Sequence, residues 1–446
     1  MEKVSGPILL AAGSQVPRNY PANPHPFRGT SHFIYFAGDA IEGAALLLVD
    51  GKATLFAAPP DRDDALWHGP RPTLDELAAL RGADAARPLA ELPAVLAPLR
   101  ARLATLPPQD AATAAWVTEL AGREVRAGSG SALTREQDAA LADAVIALRL
   151  RHDEPAIAQL RAAARVSTAA HVAGMRATKA AKTEWEVLSA MLAVLRAHGM
   201  DDAYGPIVSV RGEILHNGRH DGELQPGELL LCDVGGESPE GWASDITRTW
   251  PTSGTFSASQ RAIYDVVLAA NQAAIARVRK GTRYRDVHET AKRVLCDGLV
   301  QLGIFKGTVD GLLERGAAAL FFPHGVGHLL GLDVHDMEDL GDRAGYAPGR
   351  ARSERFGDRY LRLDRDLAAG MAVTIEPGFY QVPGILEDES LTGPLGADLD
   401  RGVLAKYADV RGIRIEDDVL CTEGDPEVMT AACPKLAVDV EAAIKG

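Results

Sequence analysis

Apolar runs of strand length alternate with turns and short helical stretches through roughly the first 150 residues. Residues 32–58 contain β-rich runs, and Asp50-Gly51 between two of them is a hairpin signal. Residues 73–103 have helical periodicity interrupted by prolines, whereas residues 107–131 are rich in turn formers. This pattern predicts a smaller, mixed α/β N-terminal domain over residues 1–153.

After residue 153 the apolar positions change to helical spacing. Pro155 suits a first helical position, and Ile157 and Leu160 continue the spacing into a long amphipathic helix. A second helix and strand-like segments follow, at residues 183–198, 207–211, 228–233 and 245–250. The order of two helices and then strands repeats from Ser259 onwards. We therefore expect an α+β protein whose second domain, residues 154–446, has an internal duplication around one curved sheet.

Composition and charge exclude several classes of function. The 446 residues carry a formal net charge of −14 without blocks of one sign, which argues against a nucleic-acid partner. The N-terminal stretch lacks the apolar core of a secretory signal, and apolar runs such as Ala44–Val49 are too short to span a membrane. Four cysteines follow no disulfide or metal-ligand spacing, which is typical of reduced thiols: Cys232, Cys296, Cys421 and Cys433. We expect a soluble, cytoplasmic protein that binds neither nucleic acid nor membranes.

Two aspartates stand at the ends of neighbouring strand-like segments in LLLCDVGGESPEGWASDITRTWP. Asp233 ends a buried apolar run, and Asp245 opens an alternating strand that Pro251 terminates. A loop rich in Gly, Pro and Ser joins them, so an antiparallel pair would bring the two carboxylates side by side. Because adjacent carboxylates repel each other and raise a pKa, we expect a cation between them.

Three histidines lie close together in PHGVGHLLGLDVHD, namely His324, His328 and His335. Gly325 and Gly327 disfavour a helix, so we expect a glycine loop that enters a strand over residues 329–334. A structural hydrogen bond would explain any one of these histidines equally well. Their grouping in a glycine-bearing turn shifts the balance towards a functional site.

Two glutamates complete the acidic set. Glu376 ends an apolar strand immediately before a Pro-Gly turn. Arg414 and Glu416 are two residues apart, which places them on one face of a strand whose other face carries isoleucines. The pair would suit an exposed surface, but a half-buried strand favours a metal or an arginine as the partner of the acid.

Together these stretches supply four carboxylates, on Asp233, Asp245, Glu376 and Glu416, and one imidazole from among the three histidines. This oxygen-rich set suits two divalent ions, most of all Mn²⁺, with Co²⁺ and Zn²⁺ as alternatives. Four negative charges balance two such ions, and Arg414 offsets the charge of a bridging hydroxide. A metal pair of this kind generates hydroxide near neutral pH and polarises a carbonyl group.

At these motifs the sequence resembles the metallopeptidases of the pita-bread fold, which include methionine aminopeptidases, Xaa-Pro aminopeptidases and prolidases. The resemblance extends over roughly residues 150–425 and, more thinly, residues 20–70. It rests on the ordered motifs GWASDITRTWP, PHGVGHLLGLDVHD, TIEPG and GIRIEDD. It implies a C-terminal pita-bread domain, a curved antiparallel sheet covered by helices, behind a creatinase- or prolidase-like N-terminal domain.

The same resemblance implies a role for each ligand. Asp245 and Glu416 would bridge both metal ions, and Asp233 would complete one of the two sites. His328 and Glu376 would complete the other site, and Glu376 would also move protons for the bridging hydroxide that attacks the peptide bond.

Prolidases resemble this chain most among these enzymes. In YLRLDRDLAAGMAVTIEPG, Arg362 stands fourteen residues before the metal-binding glutamate, where prolidases have the arginine that holds the dipeptide's C-terminal carboxylate. His216, in EILHNG, and His335 match family histidines that contact the substrate. Trp67 and Tyr204 are further candidates for substrate contacts, although the stretch from Tyr204 to His216 is shorter than in typical prolidases.

The implied function is therefore hydrolysis of the Xaa-Pro bond of dipeptides by a metal-dependent, homodimeric enzyme. A Xaa-Pro aminopeptidase that acts on longer peptides is the nearest alternative, and it should lack a carboxylate-binding arginine. A phosphotriester hydrolase would use the same metal site. A binding module without activity would have lost ligands, whereas all five are present here.

Overall fold

A computed structural model gives the fold and describes residue 4 and residues 6–61, 63–128 and 133–446. The chain forms two compact units, Met1–Arg149 with Met337–Ala344 and Leu150–Asp336 with Gly345–Gly446. Independent domains over residues 1–153 and 154–446 stay a prediction. Within the described residues, no helix has both the length and the apolar character needed to cross a membrane.

The N-terminal unit combines a mixed sheet with short helices. Its elements are β1 Ile8–Ala11, α1 Ser31–Ala37, β2 Ala45–Val49, β3 Lys52–Ala57, α2 Asp64–His68, α3 Leu74–Arg81, β4 Ala85–Pro88, α4 Leu92–Leu96, β5 Ala104–Thr105, α5 Ala111–Ala121 and α6 Glu136–Arg149. The sheet has the order β4-β3-β2-β1-β5, with antiparallel central strands and parallel edge strands. Leu9, Leu47, Phe56, Leu96 and Val117 form part of its apolar core.

Two predictions for this unit were wrong. HFIYFA, interpreted as a strand, forms most of α1, because its apolar side chains Phe33 and Ile34 bury one face of a helix that Gly38 ends. Within 107–131, interpreted as turns, α5 begins where the Asp110 side chain accepts the Thr113 N–H. Residues 129–131 of that prediction lie outside the described residues. The predicted hairpin at Asp50-Gly51 is confirmed, since it joins β2 to β3.

The C-terminal unit repeats two long helices followed by strands, as predicted. Its elements, with α12 at the boundary between the units, are α7 Glu154–Thr178, α8 Glu184–Ala197, β6 Asp201–Asp202, β7 Ile207–Ser209, β8 Leu229–Asp233, β9 Gly236–Glu237, β10 Thr247–Pro251, α9 Ala258–Ala276, α10 Tyr284–Gln301, α11 Val309–Glu314, α12 Asp342–Gly345, β11 Ala372–Ile375, β12 Gly378–Tyr380, α13 Pro383–Leu386, α14 Glu389–Thr392, α15 Arg401–Leu404, β13 Gly412–Arg414, β14 Asp417–Leu420, β15 Glu427–Val428 and α16 Ala437–Lys445. The long helices pack in pairs, α7 with α8 and α9 with α10.

Short antiparallel sheets position the chemistry of this unit. Their strand orders are β10-β8-β7, β11-β14-β15, β12-β13 and β6-β9. The β8–β10 pair has Thr247 opposite Asp233, so the strand begins two residues after Asp245 rather than at it. Glu416 lies between β13 and β14 instead of within a strand. The α+β class is confirmed.

The predicted strand over residues 329–334 is absent from the described structure. Backbone bonds join this segment to β11, from Thr374 N to His328 O (3.0 Å) and from Leu330 N to Ala372 O (3.0 Å). At Gly331 the backbone turns, and its N–H bonds to Asp333 O at 3.1 Å. The pairing is therefore limited to the neighbourhood of His328.

Candidate metal centre

A cavity of about 610 Å³ opens in the C-terminal unit at the ends of these strands. It is lined by most of the residues singled out from the sequence, namely Tyr204, His216, Asp233, Asp245, His324, His328, His335, Arg362, Glu376, Arg414 and Glu416. All five candidate metal ligands therefore share one cavity. Trp67 is on α2 of the N-terminal unit and is 77% exposed, and its role stays a prediction.

Asp233 and Asp245 converge on the phenol of Tyr204. The Tyr204 hydroxyl lies 2.5 Å from Asp233 Oδ1 and 2.5 Å from Asp245 Oδ1. Burial and the charges of the two aspartates raise the pKa of Tyr204 well above its ordinary value, so the phenol keeps its proton. One hydroxyl hydrogen satisfies one carboxylate at a time, which leaves the pair short of positive charge.

Arg414 connects Asp233 to Glu416 through Thr247. Its Nη2 lies 2.6 Å from Asp233 Oδ2, and its Nε donates to Thr247 Oγ1 at 3.0 Å. The Thr247 hydroxyl in turn donates to Glu416 Oε2 at 2.7 Å. Arg414 and Glu416 are both buried, so the exposed ion pair considered from the sequence is excluded.

The backbone around His328 fixes the orientation of its ring. His328 Nδ1 lies 2.9 Å from Leu329 O, and a carbonyl only accepts, so Nδ1 carries a proton. The other ring nitrogen, Nε2, is 3.4 Å from Asp245 Oδ2. Gly327, the residue before His328, has a φ of 151°, and a Cβ there would lie 2.1 Å from Thr374 O. Only glycine permits this close approach to β11.

Glu376 enters the cavity directly after β11. Its N–H donates to Val326 O at 2.8 Å, which places it beside the glycine loop that carries His328. Burial raises the pKa of Glu376 to about 7, although the charges of His328 and Arg414 oppose this shift. Burial also raises the pKa of Asp233 to about 6 and that of Glu416 well above its ordinary value. The protein's own groups therefore do not neutralise this cluster.

The donor set fits divalent metal ions. Among the described residues that line the cavity, four are carboxylates and two are arginines. Asp245, His328 and Glu416 offer ligand atoms that all lie within 4.8 Å of one another. Glu416 Oε1 is buried and has no hydrogen-bond partner among the described residues. An unpaired buried carboxylate oxygen is costly, and a cation at this point removes the cost.

A second group of ligand types, His288, Glu289 and Asp358, offers a useful contrast. Here Lys292 Nζ lies 2.7 Å from Asp358 Oδ1 and 2.9 Å from Glu289 Oε1. The lysine ammonium already supplies the positive charge, so this group has no need of a metal ion. No lysine is among the described residues that line the cavity, so the four carboxylates there have no equivalent ammonium group.

Four histidines and two arginines of the described chain line the cavity around these carboxylates. His335 packs edge-on against His328, with ring centroids 4.2 Å apart, and burial together with the charge of His328 lowers its pKa. His324 Nδ1 lies 2.7 Å from Gly325 O, and its Nε2 lies 2.9 Å from the Tyr380 hydroxyl. His324 is therefore held by structural hydrogen bonds, one of the two alternatives considered from the sequence.

A supporting layer behind the ligands was missed by the sequence analysis. Asp418 accepts from the Ser244 hydroxyl (2.7 Å) and from Asp245 N (3.1 Å), and so orients a candidate ligand. Beside it, Asp417 and Arg248 form a fully buried ion pair at 2.7 Å. The DD pair in GIRIEDD hints at this layer, but the partners are more than 160 residues away along the chain. Phe356 and Tyr360, which line the cavity, were also missed.

The fold and this cavity together define the class of a metal-dependent peptidase with the pita-bread architecture. Residues 158–423 match metallopeptidase family M24, and residues 1–106 match the aminopeptidase P N-terminal domain. The chain therefore belongs to metallopeptidase family M24. The expected pita-bread fold with a separate N-terminal domain is confirmed.

Several relatives match over most of their length. A probable Xaa-Pro aminopeptidase of Ajellomyces dermatitidis is 33% identical over 435 residues, covering 93% of this chain and 87% of that protein. One of Talaromyces stipitatus is 34% identical over 432 residues, covering 94% and 88%. The Pseudomonas aeruginosa aminopeptidase PepP has a TM-score of 0.81 and 29% identity, covering 99% and 94%. Zinc-substituted Escherichia coli aminopeptidase P in complex with product has a TM-score of 0.79, 29% identity and the same coverage.

Metal binding should release protons and weaken as the pH falls. Asp233 and Glu376 have pKa values of about 6 and about 7 among the protein's own groups, and both must be ionised to bind metal. We expect Mn²⁺ affinity to fall between pH 8 and pH 6, by about tenfold per pH unit for each proton released. Isothermal titration calorimetry in buffers of different ionisation enthalpy measures both quantities. Equal affinity at the two pH values without proton release would contradict the site.

Proposed function

We propose that the chain is a metal-dependent aminopeptidase that removes the N-terminal residue from peptides with proline in the second position. The observation that carries this proposal is the convergence of four carboxylates and the His328 imidazole in one cavity. The relatives named Xaa-Pro aminopeptidases support the bond specificity. They favour the aminopeptidase alternative over the dipeptidase that the motifs around Arg362 suggest. A cytoplasmic location and a homodimer stay predictions from the sequence.

The residues that would hold the metal ions are Asp233, Asp245, His328, Glu376 and Glu416. When bound, divalent ions at these positions supply a nucleophile near neutral pH and polarise the scissile carbonyl. Two ions suit the number of carboxylates, and Mn²⁺, Co²⁺ and Zn²⁺ all suit the ligand types.

Glu376 is the group we assign to proton transfer. A carboxylate that faces a bound substrate can accept a proton and release it again, which is what a general acid–base group does. Glu376 lines the cavity, and its side chain keeps 18% exposure, so a substrate can reach it. A proton taken up at the Glu376 carboxylate can pass to the amine that leaves.

We assign His216 and His335 to contacts with the substrate. We assign Arg414 to balancing the negative charge of the metal centre. The lowered pKa of His335 keeps its imidazole neutral at pH 7, so it can donate a hydrogen bond to a peptide carbonyl. His216 lies at the rim of the same cavity on an exposed stretch of chain. Arg414 is held by Asp233 and by the Tyr380 hydroxyl (2.9 Å), which suits a fixed positive charge at the centre.

A dipeptidase is the second candidate, and the position of Arg362 favours it. Arg362 lines the cavity, where its charge helps to lower the pKa of His335. A guanidinium in a substrate cavity suits a carboxylate of the substrate.

Glu376→Gln should lose turnover on Ala-Pro-Ala by at least about 10²–10⁴-fold, the usual cost of removing a general base. Glutamine keeps the shape of the side chain but neither accepts the proton nor contributes charge to the metal centre. Steady-state kinetics with parallel metal analysis measures the loss. Glu423→Gln, which alters an exposed pair with Lys280, is the control and should behave as wild type. Wild-type turnover by Glu376→Gln with full metal content would refute the role.

If the chain is a dipeptidase, Arg362→Ala should raise the KM for Ala-Pro and leave that for Ala-Pro-NH₂ unchanged, since the amide lacks the carboxylate. A charge-assisted contact of this kind is worth about 1.5–3 kcal/mol, or roughly 10–150-fold in binding. Lysine at this position should restore part of the affinity. Arg293→Ala, which removes an exposed arginine, is the control.

The wild-type substrate preference separates the two candidates. An aminopeptidase cleaves Ala-Pro-Ala with a higher kcat/KM than Ala-Pro, and this is the result we expect. Activity confined to Ala-Pro, together with a large effect of Arg362→Ala, would replace the aminopeptidase with the dipeptidase. An unchanged KM for Ala-Pro in Arg362→Ala would remove the support for the dipeptidase.

A further inference from the structure

One exposed loop carries part of the wall of the cavity. The chain leaves β7 at Ser209 and returns to β8 at Leu229, and between them Leu215, His216 and Gly218 line the cavity. A loop of this kind has no ladder of backbone hydrogen bonds to fix it. Its position therefore depends on side-chain contacts, such as the ion pair of Glu213 with Arg411, and on the bonds that hold its two ends together.

A single buried carboxylate holds both ends. Glu184 begins α8 and is 2% exposed. Its Oε1 accepts from Val210 N at 2.8 Å, and its Oε2 accepts from Gly222 N at 3.0 Å. The backbone N–H of Glu184 also donates to Gly222 O at 2.9 Å. The side chain and backbone of one residue thus close the loop from Val210 to Gly222.

The chemistry of this junction requires a carboxylate and a glycine. Two N–H donors point at the two oxygens, which an ionised carboxylate accepts without rearrangement, and the N-terminus of α8 favours its negative charge. A Cβ on Gly222 would lie 2.6 Å from Glu184 Oε1, closer than any real contact. The loop can therefore approach Glu184 only through glycine.

Further contacts transmit this position to the segment around His216. Asn217 Nδ2 donates to Ser209 Oγ at 2.8 Å, which ties the residue after His216 to the end of β7. His220 Nδ1 lies 3.3 Å from Val208 O, and its ring packs edge-on against Trp185 at 4.9 Å. Trp185 directly follows Glu184, so the same turn of α8 supports the loop twice.

We propose that Glu184 is a positioning residue of the peptidase, which holds the loop from Val210 to Gly222 so that His216 faces the substrate. The proposal rests on the function assigned above to His216. Glu184 is not among the described residues that line the cavity. Its effect on the reaction therefore passes through the loop.

Glu184→Gln tests the proposal, because the glutamine NH₂ group must face one of the two backbone donors. We expect kcat/KM for Ala-Pro-Ala to fall by on the order of 10-fold to 10²-fold with unchanged metal content. Gly222→Ala should give the same result. Glu186→Gln is the matched control, since Glu186 lies in the same turn of α8 but is exposed and bonds only to the preceding turn. Wild-type kinetics in Glu184→Gln would overturn the proposal.

A double variant distinguishes positioning from a loss of fold. If Glu184 acts through His216, then Glu184→Gln should cost little further activity in a His216→Ala background. A full additional loss in that background, or a loss of metal content in Glu184→Gln, would overturn the proposal. Wild-type activity of His216→Ala would contradict the role of His216 itself, and so the proposed function, before Glu184 is considered.

Hydrogen exchange tests the junction without reference to activity. In the wild-type protein the amides of Val210 and Gly222 should be protected to the same degree as those of β8, and Glu184→Gln should accelerate their exchange by at least about tenfold. Fast exchange at both amides in the wild type would overturn the proposal even if the variant does not fold.

Discussion

The mutual repulsion of four carboxylates in one cavity is the constraint on which the rest of the C-terminal unit depends. Asp233, Asp245 and Glu416 are at most 8% exposed, whereas the Glu376 side chain is 18% exposed. Burial, and after it the repulsion between these carboxylates, raises the pKa values of Asp233, Glu376 and Glu416. A fold that tolerates this arrangement needs fixed positive charge and rigid backbone around it. Both features are found here.

The surrounding structure meets that need in layers. Arg414 and the Tyr204 hydroxyl contact the aspartates, while Thr247 holds Glu416. Behind them, buried pairs such as Arg248 with Asp417 fix the strands that carry the ligands. These contacts still leave the four carboxylates with more negative charge than the positive charge around them. Divalent ions are suited to supply the difference.

Local signals in the sequence predicted the long helices, the β8–β10 pair and all five residues that converge in the cavity. They failed where tertiary contacts override local preference. The run at Phe33 and Ile34 is β-rich, yet it packs as a helix because one face is buried. The strand expected after His328 stops at Gly331, where a turn to Asp333 takes the backbone bond. Partners such as Asp418 and Ser244 are 174 residues apart, so no local pattern reveals them.

On the proposed function, divalent ions neutralise this cluster and make it active. The most direct test is to titrate Mn²⁺ into chelator-treated protein. At each step, elemental analysis measures the metal content and an assay on Ala-Pro-Ala measures the activity. Two bound ions per chain, with activity appearing only as they bind, is the result predicted here. Full activity in the metal-free protein, or Mn²⁺ binding that survives Asp245→Asn and Glu416→Gln together, would contradict it.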